Sequence, residues 1–192
     1  SINSVTRLAN NVFSASLSAN NLFIPVVNAQ LEQEAVDNRT NVTNTSSHTI
    51  SLSETVSPTN ESRSGYVIEV ISKNQPNTQP IKLGLFIKHS SKRRTPWRYS
   101  FKYVHQVEMD LLKDECDEVF LVLTAGDDGI ASINYSILKE ILDENYDEVE
   151  WVSLSRRPNQ SYRIAGTDGR LKSTLAKNTF PNLIVDFIHS SA

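Results

Sequence analysis

The chain has 192 residues, of which 39% are hydrophobic and 21% are charged, and its formal net charge is −3. These values are ordinary for a soluble protein with one domain, a real core and an appendage. The single cysteine, Cys116, excludes an internal disulfide and a zinc site built on paired cysteines. No apolar run approaches the ~18 residues of a membrane span, and no apolar signal core opens the chain. A cytoplasmic protein is therefore expected.

The first segment, residues 1–36, predicts helices. Apolar residues recur at three- and four-residue steps between Ile2 and Leu17, which is the spacing of one helical face. Asn and Ser form the polar side, so this helix docks either on its own domain or on a partner. Pro25 interrupts the following apolar patch, and a second short helix is predicted over residues 26–36.

Ser, Thr and Asn dominate residues 37–64, which contain no Phe, Trp or Tyr. So little apolar surface does not offset the entropy of ordering a chain, and a flexible linker or extended polar arm is predicted. The alternation at residues 49–53 is compatible with one edge strand. The Asn-X-Ser/Thr triplets along the chain fit either glycosylation of a secreted protein or chance in a composition of this kind.

Strand and helix patterns alternate from residue 65 onward. The β-branched and aromatic runs at residues 66–72 and 81–89 predict a β-hairpin with a long loop. The basic stretch at residues 84–102 reads as one strand and its exit loop, closed by Pro96. Residues 103–115 carry apolar side chains on one helical face, and residues 118–124 form a nearly continuous apolar run, typical of a strand covered on both faces.

The remaining predicted elements are short. The GDDG sequence at residues 126–129 indicates a turn, although its two acids could also bind a cation. A strand at 130–133, a helix at 135–142 and strands at 148–154 and 162–165 follow. This order predicts an α/β (α+β) domain over residues 65–192, with one mixed β-sheet flanked by helices and at least one crossover connection.

Charge is strongly segregated along the chain. Eight Lys and Arg residues and no acid lie between Val70 and Val107, whereas fourteen acids and two lysines lie between Glu108 and Glu150. A basic segment with interspersed aromatic rings suits a phosphate backbone and stacked bases. The alternative is that the basic and acidic segments pair with each other, within the chain or between subunits. The predicted nucleic-acid-binding residues are Lys88, Lys92, Arg93, Arg94, Trp97, Arg98 and Lys102.

The order of hairpin, helix and strand, with a lysine near the end of the second strand, resembles the core of the restriction-endonuclease-like PD-(D/E)XK superfamily over about residues 65–135. In that superfamily, one acid and an acid-X-Lys sequence on the next strand hold a divalent metal and a water. The resemblance implies Glu69 as catalytic residue and metal ligand, Lys88 as catalytic residue, and Mg²⁺ as cofactor. Because Phe86 replaces the second acid, it implies an impaired or absent metal site, unless Glu32, Glu34 or Glu54 supplies the missing carboxylate.

Other candidate sites are weaker. The histidines have no metal-ligand spacing, and no Gly-X-Ser-X-Gly or Gly-rich phosphate loop is present. Acids on both sides of Cys116 raise the pKa of its thiol, which argues against a nucleophile. Arg156, Arg157 and Arg163 either extend the basic surface or belong to a solvated loop.

Two functions follow from these patterns. One is a nucleic-acid-binding, nuclease-like domain that acts as a Mg-dependent nuclease if a metal site is present. The other is a non-enzymatic assembly protein, in which the N-terminal helix and arm contact a protein partner or a second copy of the chain.

Overall fold

Nine strands and three helices are present in the part of the chain that the computed structural model describes, namely residues 40–44, 48–54, 65–72, 77, 79–146, 149–177 and 179–191. The strands are β1 (Thr40–Asn44), β2 (His48–Glu54), β3 (Gly65–Ser72), β4 (Ile81–Ser90), β5 (Trp97–Lys102), β6 (Glu118–Ala125), β7 (Ile130–Asn134), β8 (Val149–Ser155) and β9 (Arg163–Gly166). The helices are α1 (Tyr103–Glu115), α2 (Tyr135–Leu138) and α3 (Thr179–Ser191).

Sheet A contains six strands in the order β1-β2-β3-β4-β6-β7. Its β4–β6 pair is parallel and its other pairs are antiparallel, so the sheet is mixed. The predicted hairpin is confirmed as β3 and β4, and the crossover as the connection from β4 through β5 and α1 to β6. Seven of the eight residues of β6 are buried, because this strand is covered on both faces as its apolar run predicted.

Sheet B contains β5, β8 and β9, all antiparallel. The α+β class with a mixed sheet is confirmed, and the second sheet is an addition to it. Residues 97–102 were read as the exit loop of β4, but they form β5, which pairs with β8 about fifty residues later in the chain. Local sequence carries little information about a pairing over such a separation.

Sheet A is the middle layer of the molecule. One of its faces packs against α1 and the inner face of sheet B, around Phe86, Phe101 and Leu121. The other face packs against α3, around Ile68, Phe120 and Ile184. Helix α3 was not predicted, and α2 is shorter than the predicted helix at residues 135–142.

Gly84 allows α1 to approach the centre of β4. A methyl group at this position would lie 3.0 Å from Cγ2 of Val119 and 3.3 Å from Cβ of Leu112. Side chains are packed at crystal-like density in protein cores, so there is no free volume to absorb such a group. The glycine therefore sets the depth at which α1 sits on the sheet.

The segment predicted as a polar arm contains part of the sheet. Strands β1 and β2 pair with each other, and β2 pairs along its whole length with β3. Strand β2 contains residues 49–53, whose alternation was compatible with an edge strand, whereas β1 was not predicted. Strands can form in this polar segment because backbone hydrogen bonds to a neighbouring strand do not require apolar side chains. The helices predicted in residues 1–36 lie outside the described residues, and the domain boundary at residue 65 stays a prediction. No helix of the described part is long and apolar enough to cross a membrane.

Candidate nucleic-acid interface

Strand β5 divides its side chains between the core and solvent. Trp97, Tyr99 and Phe101 are 2%, 3% and 0% exposed, whereas the alternate residues Arg98, Ser100 and Lys102 are exposed. Because successive side chains in a strand point to opposite faces, the apolar set lies between the sheets and the cationic set lies on the outside of sheet B.

The register of sheet B extends this outside surface. Residues directly opposite each other on antiparallel strands share a face, and Arg98 lies opposite Ser153, which lies opposite Ala165. An isolated bridge then places Arg170 opposite Ala165. Arg98 and Arg170 thus lie at the two ends of one row of residues across sheet B, separated by about three strand spacings, or ~14 Å. We call this surface the sheet B outer face; it consists of Arg98, Ser100, Lys102, Val149, Trp151, Ser153, Ser155, Arg163, Ala165 and Arg170.

The sheet B outer face carries four cations and no acid. The ion pairs Lys82–Glu69, Lys113–Glu118, Lys139–Asp110 and Arg156–Asp128 involve none of these four cations. Internal pairing, the alternative explanation for the segregated charges, is seen within the acidic segment, in Lys113–Glu118 and Lys139–Asp110.

Trp151 lies near the centre of the sheet B outer face. It is opposite Ser100 and diagonal to both Arg98 and Lys102. The guanidinium carbon of Arg98 is 5.0 Å from the centroid of the indole ring, a cation–π contact. Beside it, Val149 is 57% exposed, an unusual value for a strand residue of this type.

The loop at residues 91–96 continues the basic surface beyond the Arg98 end of β5. All six of its residues are exposed, including Lys92, Arg93 and Arg94. Lys92 Nζ donates to the carbonyl of Pro96 at 2.9 Å, and the backbone N–H of Arg156 donates to Thr95 Oγ1 at 3.2 Å. These bonds hold the loop beside the end of β8.

Trp97 anchors this loop from the inside. Its ring meets the ring of Tyr162 edge-on, with 6.1 Å between centroids, and its Nε1–H donates to the carbonyl of Lys92 at 2.7 Å. The prediction that Trp97 stacks on a nucleic acid is wrong, because it occupies an inward position of β5 and is 2% exposed.

Lys88 points into the interior rather than joining the basic surface. Its Nζ lies 5.5 Å and 5.2 Å from the ring centroids of Phe86 and Phe101, and 2.9 Å from Nδ1 of His105. Burial, with a smaller contribution from Lys102, lowers the Lys88 pKa to about 8, while nearby Glu108 opposes the shift. Its predicted contact with nucleic acid is not compatible with this position.

His105 is the neutral partner in this cluster. Its Nδ1 accepts the backbone N–H of Lys102 at 3.0 Å, at the start of α1. Burial, followed by repulsion from Lys88 and Lys102, lowers the His105 pKa to about 4. At neutral pH the imidazole is therefore uncharged, which spares the site a third adjacent cation.

Glu69 and Lys88 are not brought together. Glu69 lies opposite Lys82 and forms an ion pair with it at 3.3 Å, whereas Lys88 is six residues further along β4, or about 20 Å away. The residue opposite Phe86 is Gly65, which has no side chain to bind a metal. Phe86 itself is 0% exposed in the core.

The residues predicted to hold Mg²⁺ therefore do not fit the ion, since no second carboxylate accompanies Glu69 at the acid-X-Lys position. Three acids were considered as substitutes for the missing carboxylate. Glu54, on β2, lies opposite Tyr66 of β3, and Glu32 and Glu34 are outside the described residues.

A different acidic cluster is present among the described residues. Asp143, Glu150 and Asp168 each offer a ligand atom, and these atoms lie within 4.8 Å of one another. Asp168 Oδ2 accepts the backbone N–H of Asp143 at 3.0 Å, and Glu150 accepts the side-chain amide of Gln106. The first bond joins the loops after α2 and β9 to each other, and the second joins α1 to β8, the central strand of sheet B.

The turn at residues 126–129 is confirmed, and its Asp128 has a structural partner. The Arg156 guanidinium donates to both carboxylate oxygens of Asp128, and Tyr162 Oη donates to one of them at 2.6 Å. The hydrogen bond from Arg156 is the main reason that the pKa of Asp128 lies below its usual value. Arg156 is therefore committed to this turn, while Arg157 and Arg163 remain exposed.

Trp151 and Arg170 were not predicted as site residues from the sequence. Arg163 was assigned either to the basic surface or to a solvated loop. The sequence of β8, VEWVSLS, alternates but does not reveal which set is inward, because Glu150 accompanies Val152 and Leu154 on the buried side. Pairing with β5 decides the question. Arg170 joins this face through an isolated bridge to Ala165, and a single bridge leaves no alternating pattern in the sequence.

The assembly function was predicted for the N-terminal helix and the arm at residues 37–64; residues 1–36 lie outside the described part of the chain, and this function stays a prediction. Comparisons with protein-family models, with curated proteins and with solved structures found no match.

Proposed function

We propose that the protein binds nucleic acid through the sheet B outer face and the adjacent loop at residues 91–96. The observation that carries this proposal is the absence of any acid among the outer-face positions of sheet B, which bear Arg98, Lys102, Arg163 and Arg170. Four cations on one face create a positive field, and phosphate backbones are drawn to such surfaces.

The loop adds Lys92, Arg93 and Arg94 at one end of the same surface. A row of cations some 14 Å wide with a basic extension is large enough to contact several successive phosphates. The proposal retains nucleic acid, the ligand implied by the nuclease resemblance. It does not retain Glu69 and Lys88 as a hydrolytic centre, because these residues lie on separate parts of β4 and its neighbour.

The test is the salt dependence of binding, measured by fluorescence anisotropy with a labelled 20-nucleotide RNA and the matching DNA. Neutralisation of four to six phosphates predicts a log–log slope between about −3 and −5. The variant Arg98→Glu/Lys102→Glu should bind at least about tenfold more weakly and reduce the slope by about 2.

The matched control is Lys82→Glu/Lys113→Glu, which changes the net charge equally but alters residues on β4 and α1. It should bind within about twofold of the unmodified chain. No detectable binding by the unmodified chain at 50 mM salt would refute the proposed function, and equal weakening by both double variants would refute its assignment to sheet B.

A further inference from the structure

We infer that the nucleic acid is single-stranded and that Trp151 is the residue on which one of its bases stacks. This inference rests on the proposed function and adds the class of ligand. Its basis is the position of an indole ring among cations on one sheet face, with Arg98 and Lys102 diagonal to it on the neighbouring strand.

The contact with Arg98 organises the ring. The guanidinium lies over the indole at 5.0 Å from its centroid, so this cation–π contact restrains the ring before any ligand arrives. The backbone of Trp151 is fixed as well, because its N–H donates to Thr167 Oγ1 at 3.0 Å. An aromatic side chain that is already ordered loses little entropy on binding.

Val149 adds an exposed apolar side chain next to Trp151 on the same face. Val149 is the next outward residue along β8, is 57% exposed, and lies opposite Lys102. A base inserted there would contact the indole and the exposed isopropyl group, with Lys102 on one side and Arg98 on the other to receive the flanking phosphates. Arg98 and Lys102 lie four residues apart on β5, or about 13 Å, and flank this position on both sides.

This arrangement favours a single strand over a duplex. In a duplex the faces of the bases are covered by their neighbours, and a ring standing on a sheet surface reaches only the backbone. In a single strand, an exposed base can leave its neighbours and stack on an aromatic side chain whatever its identity. The expected ligand is therefore single-stranded RNA or DNA with little preference for sequence.

The experiment compares three probes on the full chain at one salt concentration: a 12-nucleotide oligo(U), a 12-nucleotide oligo(dT) and a 12-base-pair DNA duplex. Both single strands should bind at least about fivefold more tightly than the duplex. Trp151→Ala should weaken single-strand binding by about 5- to 100-fold and leave duplex binding within about twofold.

Trp151→Phe is the matched variant, because it keeps an aromatic face and should restore most of the affinity. Circular dichroism and urea unfolding establish that each variant is folded. Equal binding of single strands and duplex, or an equal effect of Trp151→Ala on both, would overturn this inference and leave the proposed function standing. Absence of binding to all three probes would instead refute the proposed function.

Discussion

Strands β4 and β5 follow each other in one basic stretch, yet Lys88 of β4 and the two cations of β5 lie in opposite environments. On β4, Lys88 lies among Phe86, Phe101 and His105, with a lowered pKa. On β5, Arg98 and Lys102 are exposed on an open sheet face. Charge density along the sequence was similar in both, so it did not indicate which cations are available to a ligand.

The difference comes from how many layers cover each strand. β4 is internal to sheet A, with α1 and sheet B on one face and α3 on the other, so its side chains are largely buried on both sides. β5 is an edge strand of sheet B, and in the described part of the chain its inward side chains are buried and its outward side chains are exposed. Lys88, near the end of β4, is accommodated by the core, whereas Arg98 and Lys102 on the outer side of β5 are exposed to an approaching anion.

The largest expected effect distinguishes an inward-facing from an outward-facing tryptophan of sheet B. Trp97→Ala should lower the free energy of unfolding by about 3–5 kcal/mol, because it opens a cavity and removes the hydrogen bond to the Lys92 carbonyl. Trp151→Ala should cost about 1 kcal/mol or less. Urea unfolding measures both, and similar losses would show that the interior and exterior assignments of the two rings are mistaken.

A second test adds volume instead of removing it. Gly84→Val should destabilise the protein by about 1–3 kcal/mol, because its side chain would meet Val119 and Leu112 beneath α1. Ser100→Val, which adds a similar side chain to an exposed position of β5, should change stability by no more than about 0.5 kcal/mol. Thermal and urea unfolding of the two variants compare the layers directly, and a tolerated valine at position 84 would contradict close packing there.

A third test uses pH to probe the interior cluster. Because burial, Lys88 and Lys102 lower the His105 pKa from 6.5 to about 4, the unfolded chain binds more protons than the folded one between these values. The contribution of His105 to stability is complete above pH 6.5 and is lost as the pH falls toward 4. After allowance for partial solvent exposure, we expect a loss of about 1–2 kcal/mol.

His105→Gln isolates this contribution, since glutamine can still accept the Lys102 N–H but does not titrate. The difference in unfolding free energy between the unmodified chain and this variant should shrink between pH 7 and pH 4. A difference that stays constant over this range would show that His105 does not titrate against its neighbouring cations.

The smallest expected effect concerns the exposed pair on sheet A. Glu69→Gln should change the free energy of unfolding by about 0.5 kcal/mol or less, because Glu69 and Lys82 are about 40% exposed and solvent screens their attraction. A double-mutant cycle with Lys82→Gln measures the coupling. A coupling above about 2 kcal/mol would mean that Glu69 has a more demanding role than a surface ion pair.

Much of the fold could be predicted from local patterns. Helix α1 begins and ends as predicted, and the hairpin of β3 and β4 and the buried strand β6 were evident from apolar runs and turn residues. These elements are set by periodicity and turn chemistry within ten or fifteen residues. Helix α3 was missed, and β5 was read as a loop, because a loop rich in Arg, Lys and Pro precedes it and its partner β8 is distant in the chain.

The candidate site was only partly accessible from the sequence. The sequence by itself determined that a basic, aromatic segment exists, that Cys116 has no disulfide partner within the chain, and that a nuclease-type carboxylate pair is incomplete at Phe86. Tertiary structure alone decided that Lys88 and Trp97 face inward, that Arg98, Lys102 and Arg170 share one surface, and that Trp151 is at its centre. The physical reason is that a strand pattern distinguishes two faces, but only the layers packed against the sheet decide which face meets water.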